Sequence, residues 1–189
     1  ISACLVGSEM CIRDRTHEVK QLEKKKRRLQ CSISRKYEKN KKGASYYKTS
    51  NIIKAEKKLL KLNHRLTDIR HDYLHQITTE IINRKPKFIV LEDLNVKGMM
   101  KNKHLSEAVA EQCFYEFYRQ IEYKSSWNNI KFIIADRFYA SSKICSCCGI
   151  IKKDLKLSDR IYKCDNCNTE IDRDKNASIN LYNYGKSIA

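Results

Sequence analysis

The sequence has 189 residues, enough for one ordinary domain and a small extra module, and 41% of them are hydrophobic, which is compatible with a packed core. Lys and Arg number 39 against 22 Asp and Glu, so the formal charge is +17. Because this charge is spread along the chain, a phosphate-rich partner is the simplest inference. No apolar run approaches the ~20 residues of a membrane-spanning helix, so we expect no membrane partner.

The first fifteen residues, ISACLVGSEMCIRDR, differ in character from the rest of the sequence. They begin with Ile rather than Met, they lack the basic region of a signal peptide, and Glu9 interrupts their apolar stretch. We expect residues 1–15 to be a foreign leader, joined at Thr16 to a protein that extends further upstream. The cysteines at positions 4 and 11 therefore carry no weight in the prediction.

Two long basic helices are predicted after this leader. The first runs from His17 to about Asn40 and has apolar residues at helical spacing. Its candidate nucleic-acid contacts form one basic run, Lys25, Lys26, Arg27 and Arg28. A solvated helix face is the alternative interpretation of such a run, and only the total charge favours contact with nucleic acid.

A turn around Gly43 separates this helix from a second one, predicted from about Ser50 to Asn83. Its apolar residues advance in steps of three and four and so predict one continuous apolar stripe. The stripe ends with Tyr73, Ile77 and Ile81.

The pattern changes at Pro86 to that of a sheet layered with helices. KFIVLEDL contains a continuous apolar run that predicts a strand buried on both faces and ending at Glu92. A helix is predicted from Ser106 to about Ser125, and IKFIIAD at 130–136 repeats the buried-strand pattern. Strand, helix and strand in this order predict an α/β fold.

Nine cysteines are present, and five of them fall within 23 residues, which favours a metal site in a reducing compartment over a disulfide framework. Two C-x-x-C motifs separated by fifteen residues predict a zinc ribbon held by Cys145, Cys148, Cys164 and Cys167. Four thiolates leave no open coordination position, so the predicted Zn²⁺ is structural. Cys147 makes the first motif ambiguous, and a redox pair or an iron–sulfur cluster is the alternative use of these thiols.

Acidic residues follow the second cysteine motif. Asp172 and Asp174 come before a short final helix, predicted from Asp174 to about Asn183 and ending near Gly185. Carboxylates near a phosphate partner repel it unless divalent cations lie between them, as in two-metal phosphodiester cleavage. The alternative interpretation is structural: Asp174 caps the helix, and Glu92 simply ends its strand.

Four segments in this order, VLEDLNVKGM, ASSKICSCCG, RIYKCDNC and DRDKNASINL, closely resemble the C-terminal half of TnpB-type (OrfB) proteins of insertion sequences, often called transposases. The similarity extends from Thr16 to Gly185. It implies an RNase H-like, RuvC-type nuclease core, truncated at its N-terminus and interrupted by a zinc ribbon. The implied division is a partial core over 16–142, the ribbon over 143–170, and the last helix of the core over 171–189.

The resemblance also implies an RNA-guided DNA endonuclease that binds a guide RNA and DNA and uses Mg²⁺ at a triad of Asp, Glu and Asp. The second acid of the triad maps to Glu92 and the third to Asp174, with Asp172 as the fallback. The first belongs to a G-x-D-x-G strand, which has no counterpart in this sequence. We therefore expect this chain to be a poor nuclease or none, and whether it is an enzyme stays open.

Two alternatives from other classes remain. One is a non-catalytic nucleic-acid-binding zinc-ribbon protein, and the other is a ribosomal or transcription-associated zinc ribbon, which leaves the LED and DRDKNA motifs unexplained. All three hypotheses require nucleic acid and zinc, and the leading one predicts a prokaryotic cytoplasmic protein associated with the nucleoid. The sequence does not predict an oligomeric state.

Overall fold

The computed structural model describes residues 17–104, 106–156 and 159–189, so the expected leader, residues 1–15, lies outside the described residues. The described chain divides into two compact units, one ending at Gln76 and the other beginning at Ile77. None of the described helices combines the length and apolarity needed to cross a membrane. The elements in chain order are α1 (His17–Lys39), β1 (Lys41–Lys42), β2 (Ser45–Tyr46), α2 (Ser50–Asn83), β3 (Phe88–Glu92), α3 (Val96–Met100), α4 (Ser106–Glu111), α5 (Phe114–Trp127), β4 (Lys131–Ala135), β5 (Ile161–Lys163), β6 (Glu170–Asp172) and α6 (Arg173–Ile188).

The first unit is a helical hairpin made of α1 and most of α2, at the positions that the sequence predicts. Glu18 at the start of α1 pairs with Arg65 at 3.2 Å, and Tyr37 at its end donates a 2.5 Å hydrogen bond to Glu56. Because residues late in α1 meet residues early in α2, the two helices run antiparallel. The chain reverses through the β1–β2 hairpin, where Gly43 adopts a φ of +61° that favours glycine.

The end of α2 buries a different set of residues from the predicted stripe. Tyr73, Ile77 and Ile81 are half-buried, whereas the fully buried positions are each one residue further on: Leu74, Thr78 and Ile82. The Thr78 hydroxyl donates a 2.9 Å hydrogen bond to the side chain of Gln120 on α5, and both residues are completely buried. A hydrophobicity pattern could not reveal this polar pair.

In the second unit, β3 and β4 form the parallel pair expected for a strand–helix–strand unit. Their register runs from Phe88 opposite Lys131 to Glu92 opposite Ala135. Helix α6 packs on this pair, and its Leu181 joins a core cluster with residues of both strands. The carboxyl ends of β3 and β4 consequently lie at the same edge of this sheet. Residues from that edge and from the start of α6 line one cleft.

Two predictions for this unit are wrong in detail. The helix predicted from Ser106 to about Ser125 is two helices, because Cys113 adopts a left-handed φ of 49° between α4 and α5. The strand predicted at 130–136 is not buried on both faces, since Ile134 is 52% exposed while its neighbour Ile133 is buried. Apolar residues alone cannot distinguish a two-sided buried strand from one with an exposed face.

Gly185 does not end the final helix, contrary to the prediction, because α6 continues to Ile188. Gly185 is buried where α6 lies against β3. A Cβ atom added there would come within 2.3 Å of Val90 Cγ2 and 2.7 Å of Phe88 Cε2. The glycine is therefore required by the close approach of helix and strand rather than by a turn.

Replacing Gly185 with Ala tests this close approach. Ala is favoured over Gly inside a helix by about 0.5–1 kcal/mol, but forcing a methyl group into a packed contact costs about 1–3 kcal/mol. We expect a net loss of roughly 1–2 kcal/mol in the free energy of unfolding, measured by urea denaturation. The matched control is Asn183→Ala, at an exposed position of the same helix, and a stabilising Gly185→Ala would contradict the packing.

Candidate metal centre and acidic cleft

The cysteine motifs form two turns of the same shape. The Cys145 N–H donates to the Ile150 carbonyl and the Gly149 N–H to the Cys145 carbonyl, both at 2.9 Å. The second turn has the same two bonds: the Cys164 N–H donates to the Thr169 carbonyl at 2.9 Å, and the Asn168 N–H donates to the Cys164 carbonyl at 3.1 Å. Gly149 and Asn168 occupy equivalent positions and adopt φ values of +77° and +55°, a conformation that Gly and Asn tolerate best.

These turns bring four thiols together. The Sγ atoms of Cys145, Cys148, Cys164 and Cys167 all lie within 4.8 Å of one another. The Cys145–Cys167 and Cys148–Cys164 sulfur pairs are 3.6 and 3.5 Å apart. Ligands about 2.3 Å from a tetrahedral zinc ion are separated by about 3.8 Å, so this donor set could hold such an ion. Cys147 is exposed and lies outside the group.

Local contacts give the four thiols different acidities. Burial raises the pKa of Cys145 to about 11. The Thr169 hydroxyl, 3.0 Å from the Cys167 sulfur, donates to the thiolate and is the main reason that the pKa of Cys167 is lowered to about 6. These opposite shifts favour a thiolate at Cys167 and a thiol at Cys145 in the metal-free turns. The Cys145 proton must leave when a metal ion binds.

The ribbon has a very small core between the two turns. Tyr162 on β5 is completely buried and packs with Leu155 and Ile171 beside the cysteines. Its hydroxyl donates a 3.2 Å hydrogen bond to the Lys143 carbonyl, and burial raises the pKa of Tyr162 to about 12. So small a core needs a metal ion or a neighbouring element for its stability.

Two buried asparagines of α6 hold the segment that contains the first cysteine turn. Asn176 Nδ2 and Asn180 Nδ2 each donate a 2.7 Å hydrogen bond to the same acceptor, the Ile144 carbonyl. Asn176 Oδ1 also accepts from the Ser146 N–H at 2.9 Å, and Asn180 Nδ2 donates to the Ser141 carbonyl at 2.7 Å. We call this set of contacts the asparagine clamp. Sequence reasoning missed it, although two Asn four residues apart on an apolar helix face were the signal.

A cleft of about 500 Å³ lies at the carboxyl ends of β3 and β4, where open parallel sheets usually bind ligands. Its lining includes Glu92 from the end of β3 and Asp174 from the first turn of α6. The fold thus brings these two predicted acids to one cleft. Basic side chains line it as well: Lys143, Lys156 and Arg173.

Glu92 is oriented by its neighbours. The Ser141 hydroxyl donates a 2.6 Å hydrogen bond to Glu92 Oε1, and Ser141 is almost completely buried. The Tyr118 hydroxyl donates to the backbone carbonyl of Glu92. Because Asn180 binds the Ser141 carbonyl, the asparagine clamp also fixes the residue that orients Glu92.

The two acids before α6 have different roles in the structure. Asp172 is the N-cap: its Oδ1 accepts hydrogen bonds of 3.0 Å from the N–H groups of Asp174 and Lys175. Asp174 therefore does not cap the helix, as the structural alternative supposed. Its carboxylate lies 3.6 Å from Arg173 Nε, and the residue lines the cleft.

Three further charged residues line the cleft and were not singled out from the sequence. Asp136, directly after β4, accepts a 2.7 Å hydrogen bond from the Phe138 N–H. Asp93 pairs with Arg137 at 2.8 Å, and hydrogen bonding to Asp93 raises the pKa of Arg137. Their position just after a strand was the available signal. Within the described residues, the only group of three or more potential ligands with converging atoms is the cysteine quartet.

Comparison with known proteins places these features in a family. A model named Cas12f1-like, TNB domain matches residues 114–181, from α5 through the ribbon into α6. A Streptomyces pristinaespiralis protein, named for an inferred RNA-guided DNA endonuclease activity, is 35% identical over 133 residues, 70% of this chain and 33% of that protein. A TnpB-like protein of Methanocaldococcus jannaschii is 32% identical over 125 residues, 62% of this chain and 43% of that protein.

The chain belongs to the TnpB-like family. It spans about a third of the length of the Streptomyces relative. A solved Cas12f1–sgRNA–target DNA complex shares the fold with a TM-score of 0.54 and 24% identity, over 69% of this chain and 38% of the Cas12f1 chain. A CRISPR–Cas12f ternary complex gives a TM-score of 0.60 at 21% identity, over 87% of this chain and 32% of that chain.

Leu substitutions at Asn176 and Asn180 test the asparagine clamp. Either single variant still leaves the Ile144 carbonyl one donor. Each is expected to lower the free energy of unfolding by about 1–3 kcal/mol, because it also breaks the hydrogen bond of that asparagine to Ser146 or Ser141. The double variant leaves that carbonyl without a donor. It should cost about 0.5–3 kcal/mol more than the sum of the singles, as measured by urea denaturation. Strictly additive losses would show that the carbonyl is not shared, and Asn183→Leu is the exposed control.

Calorimetry of Zn²⁺ binding at pH 7, in buffers of different ionisation enthalpy, counts the protons released. We expect at least the Cys145 proton to be released, and the affinity to rise with pH because protons compete with the metal. In Thr169→Val the pKa of Cys167 rises, so more protons should leave and the affinity at pH 7 should fall. Thr169→Ser keeps the hydroxyl and should behave like the unmodified chain, whereas an unchanged proton count in Thr169→Val would contradict the role of Thr169.

Proposed function

We propose that this chain is the part of a TnpB-type RNA-guided DNA endonuclease that carries two catalytic acids and a zinc ribbon. The observation that carries the proposal is that Glu92 and Asp174, from separate elements, line one cleft at the carboxyl ends of two parallel strands. The named activity of the Streptomyces relative and the RNA and DNA in the Cas12f1 complex support it. In this proposal the second unit belongs to an RNase H-like, RuvC-type core.

Glu92 and Asp174 are the proposed ligands of Mg²⁺, which when bound activates a water molecule and neutralises charge on the scissile phosphate. Ser141 fixes one oxygen of Glu92 and so restricts the orientation of its carboxylate. Lys143, Lys156 and Arg173 lie among the acids of the cleft lining and offer cationic groups to a phosphate. Because Asp172 is engaged as the helix cap, we assign the second ligand to Asp174 and not to Asp172.

The thiols of Cys145, Cys148, Cys164 and Cys167 are proposed to hold one structural Zn²⁺. Soft thiolate donors in a tetrahedral arrangement select zinc over magnesium. All four positions are filled by the protein, so this ion takes no part in the reaction. Its contribution is to stabilise a ribbon whose core contains little more than Tyr162 and its neighbours.

The proposed partners are a guide RNA and DNA, in the prokaryotic cytoplasm with the nucleoid. The run Lys25, Lys26, Arg27 and Arg28 supports this through its charge and its largely exposed position on α1. Such a surface binds phosphates without regard to sequence, and its affinity falls with salt.

Glu92→Gln and Asp174→Asn remove one negative ligand each and keep the side-chain shape. Loss of a residue that only hydrogen-bonds to a metal ligand typically weakens metal binding roughly 10- to 100-fold. Each acid variant is expected to weaken Mn²⁺ binding to the chain by more than this, as measured by electron paramagnetic resonance of free Mn²⁺. Ser141→Ala, which frees Glu92, is expected to fall within that range. In a guide-dependent cleavage assay of a full-length protein that carries this segment and the first catalytic Asp, both acid variants should lose activity and keep their affinity for DNA.

Glu122→Gln is the matched control, because Glu122 is an exposed acid on α5 and does not line the cleft. It should leave Mn²⁺ binding unchanged. If Glu92→Gln and Asp174→Asn behave like this control, the catalytic assignment is wrong. The non-catalytic zinc-ribbon alternative would then be favoured, provided that the chain still binds nucleic acid.

A further inference from the structure

The end of the helical hairpin in the first unit is a concentrated basic surface. We call residues 36–48 the hairpin tip. The side chains of residues 41–48 are all exposed. Its lysines are Lys36, Lys39, Lys41, Lys42 and Lys48, against one acid, Glu38.

A polar network fixes the hairpin tip to α2. Lys48 Nζ lies 3.2 Å from both carboxylate oxygens of Glu56, which also accepts the hydrogen bond from Tyr37. Hydrogen bonds from Tyr37 and Lys48 lower the pKa of Glu56, so this carboxylate stays charged and its charge is balanced by Lys48. In the described part of the chain, the other tip lysines form no ion pair. Their charge is available to a partner.

Two consecutive tyrosines at the hairpin tip are used differently. The Tyr46 ring packs edge-on against Tyr37 at a centroid distance of 5.9 Å, with Lys41 Nζ 5.8 Å from its centroid. Tyr47 is 65% exposed, and no aromatic ring in the described ranges packs against its ring. The Tyr47 backbone is nevertheless anchored, since its N–H donates a 3.1 Å hydrogen bond to the Asn40 carbonyl. An exposed ring is therefore held on a fixed backbone among lysines.

We propose that the hairpin tip binds single-stranded nucleic acid, with Tyr47 stacking on a base and Lys39, Lys41 and Lys42 contacting the flanking phosphates. Exposed aromatic rings among basic side chains are the combination that single-strand binding uses. A duplex keeps its bases stacked inside and would engage the lysines alone. The proposal rests on the proposed function only in requiring a nucleic-acid partner, and it does not require cleavage.

The test measures the affinity of the whole chain for oligo(dT), oligo(rU) and a DNA duplex by fluorescence anisotropy over a range of salt concentrations. Tyr47→Ala and Tyr47→Leu are expected to weaken binding to both single strands by roughly fivefold to a hundredfold, because Leu is apolar but offers no aromatic face. Tyr47→Phe should stay within about twofold of the unmodified chain. Duplex affinity should be the same for all four proteins.

Replacing Lys39, Lys41 and Lys42 together with Gln tests the phosphate contacts. Each contact contributes about 0.7 to the slope of log affinity against log salt for a single strand, so the slope should fall by about 2. The matched control for Tyr47 is Tyr115→Ala, a 78% exposed tyrosine beside Glu116 in the other unit, which should change nothing. Circular dichroism confirms that each variant stays helical.

A short oligouridine carrying one 5-iodouracil gives a direct readout, because irradiation crosslinks this base to a stacked aromatic side chain. The crosslink is expected at Tyr47. Equal losses for single strands and duplex, or crosslinks only elsewhere, would overturn the stacking proposal. If the Tyr47 variants bind single strands more weakly while Glu92→Gln and Asp174→Asn leave Mn²⁺ binding unchanged, the hairpin tip is a binding surface and the nuclease proposal is wrong. If instead the acid variants lose Mn²⁺ binding and the Tyr47 variants bind normally, only the proposal for the hairpin tip is wrong.

Discussion

The arrangement of the second unit depends on one backbone carbonyl, that of Ile144, which accepts hydrogen bonds from two buried side chains of the same helix. Burying the Asn176 and Asn180 amides is costly unless their polar atoms are bonded, and here each amide has two backbone partners. Leucines could provide burial at these positions without specifying which backbone groups meet the helix. The asparagines fix the register of α6 against the segment that leads into the first cysteine turn.

This constraint extends to both predicted acids. Asn180 binds the carbonyl of Ser141, whose hydroxyl holds Glu92. Asp174 lies in the first turn of the same helix, two residues before Asn176. At the other end of α6, Gly185 allows the helix to lie directly against β3. A single helix therefore sets the position of Asp174 relative to Glu92, through side-chain hydrogen bonds near its start and close packing near its end.

The sequence predicted the features that depend on local pattern and missed those that depend on contacts. Two C-x-x-C motifs predicted the cysteine quartet because short spacings and equivalent turns bring thiols together whatever the surrounding fold. Periodicity predicted α1, α2 and the parallel strand pair. It could not predict the buried Thr78–Gln120 pair or the packing role of Gly185, since each is decided by residues distant in sequence. It also missed the helix break at Cys113.

The ribbon and the cleft use donors of opposite character on one continuous piece of chain. Thiolates in a closed tetrahedron suit soft ions, whereas carboxylates at an open cleft suit hard ions that keep water ligands. Asp172 is both the last residue of β6 and the N-cap of α6, and Asp174 follows in the first turn. With no linker between ribbon and helix, a displacement of the ribbon must either move the start of α6 or break the Asp172 cap.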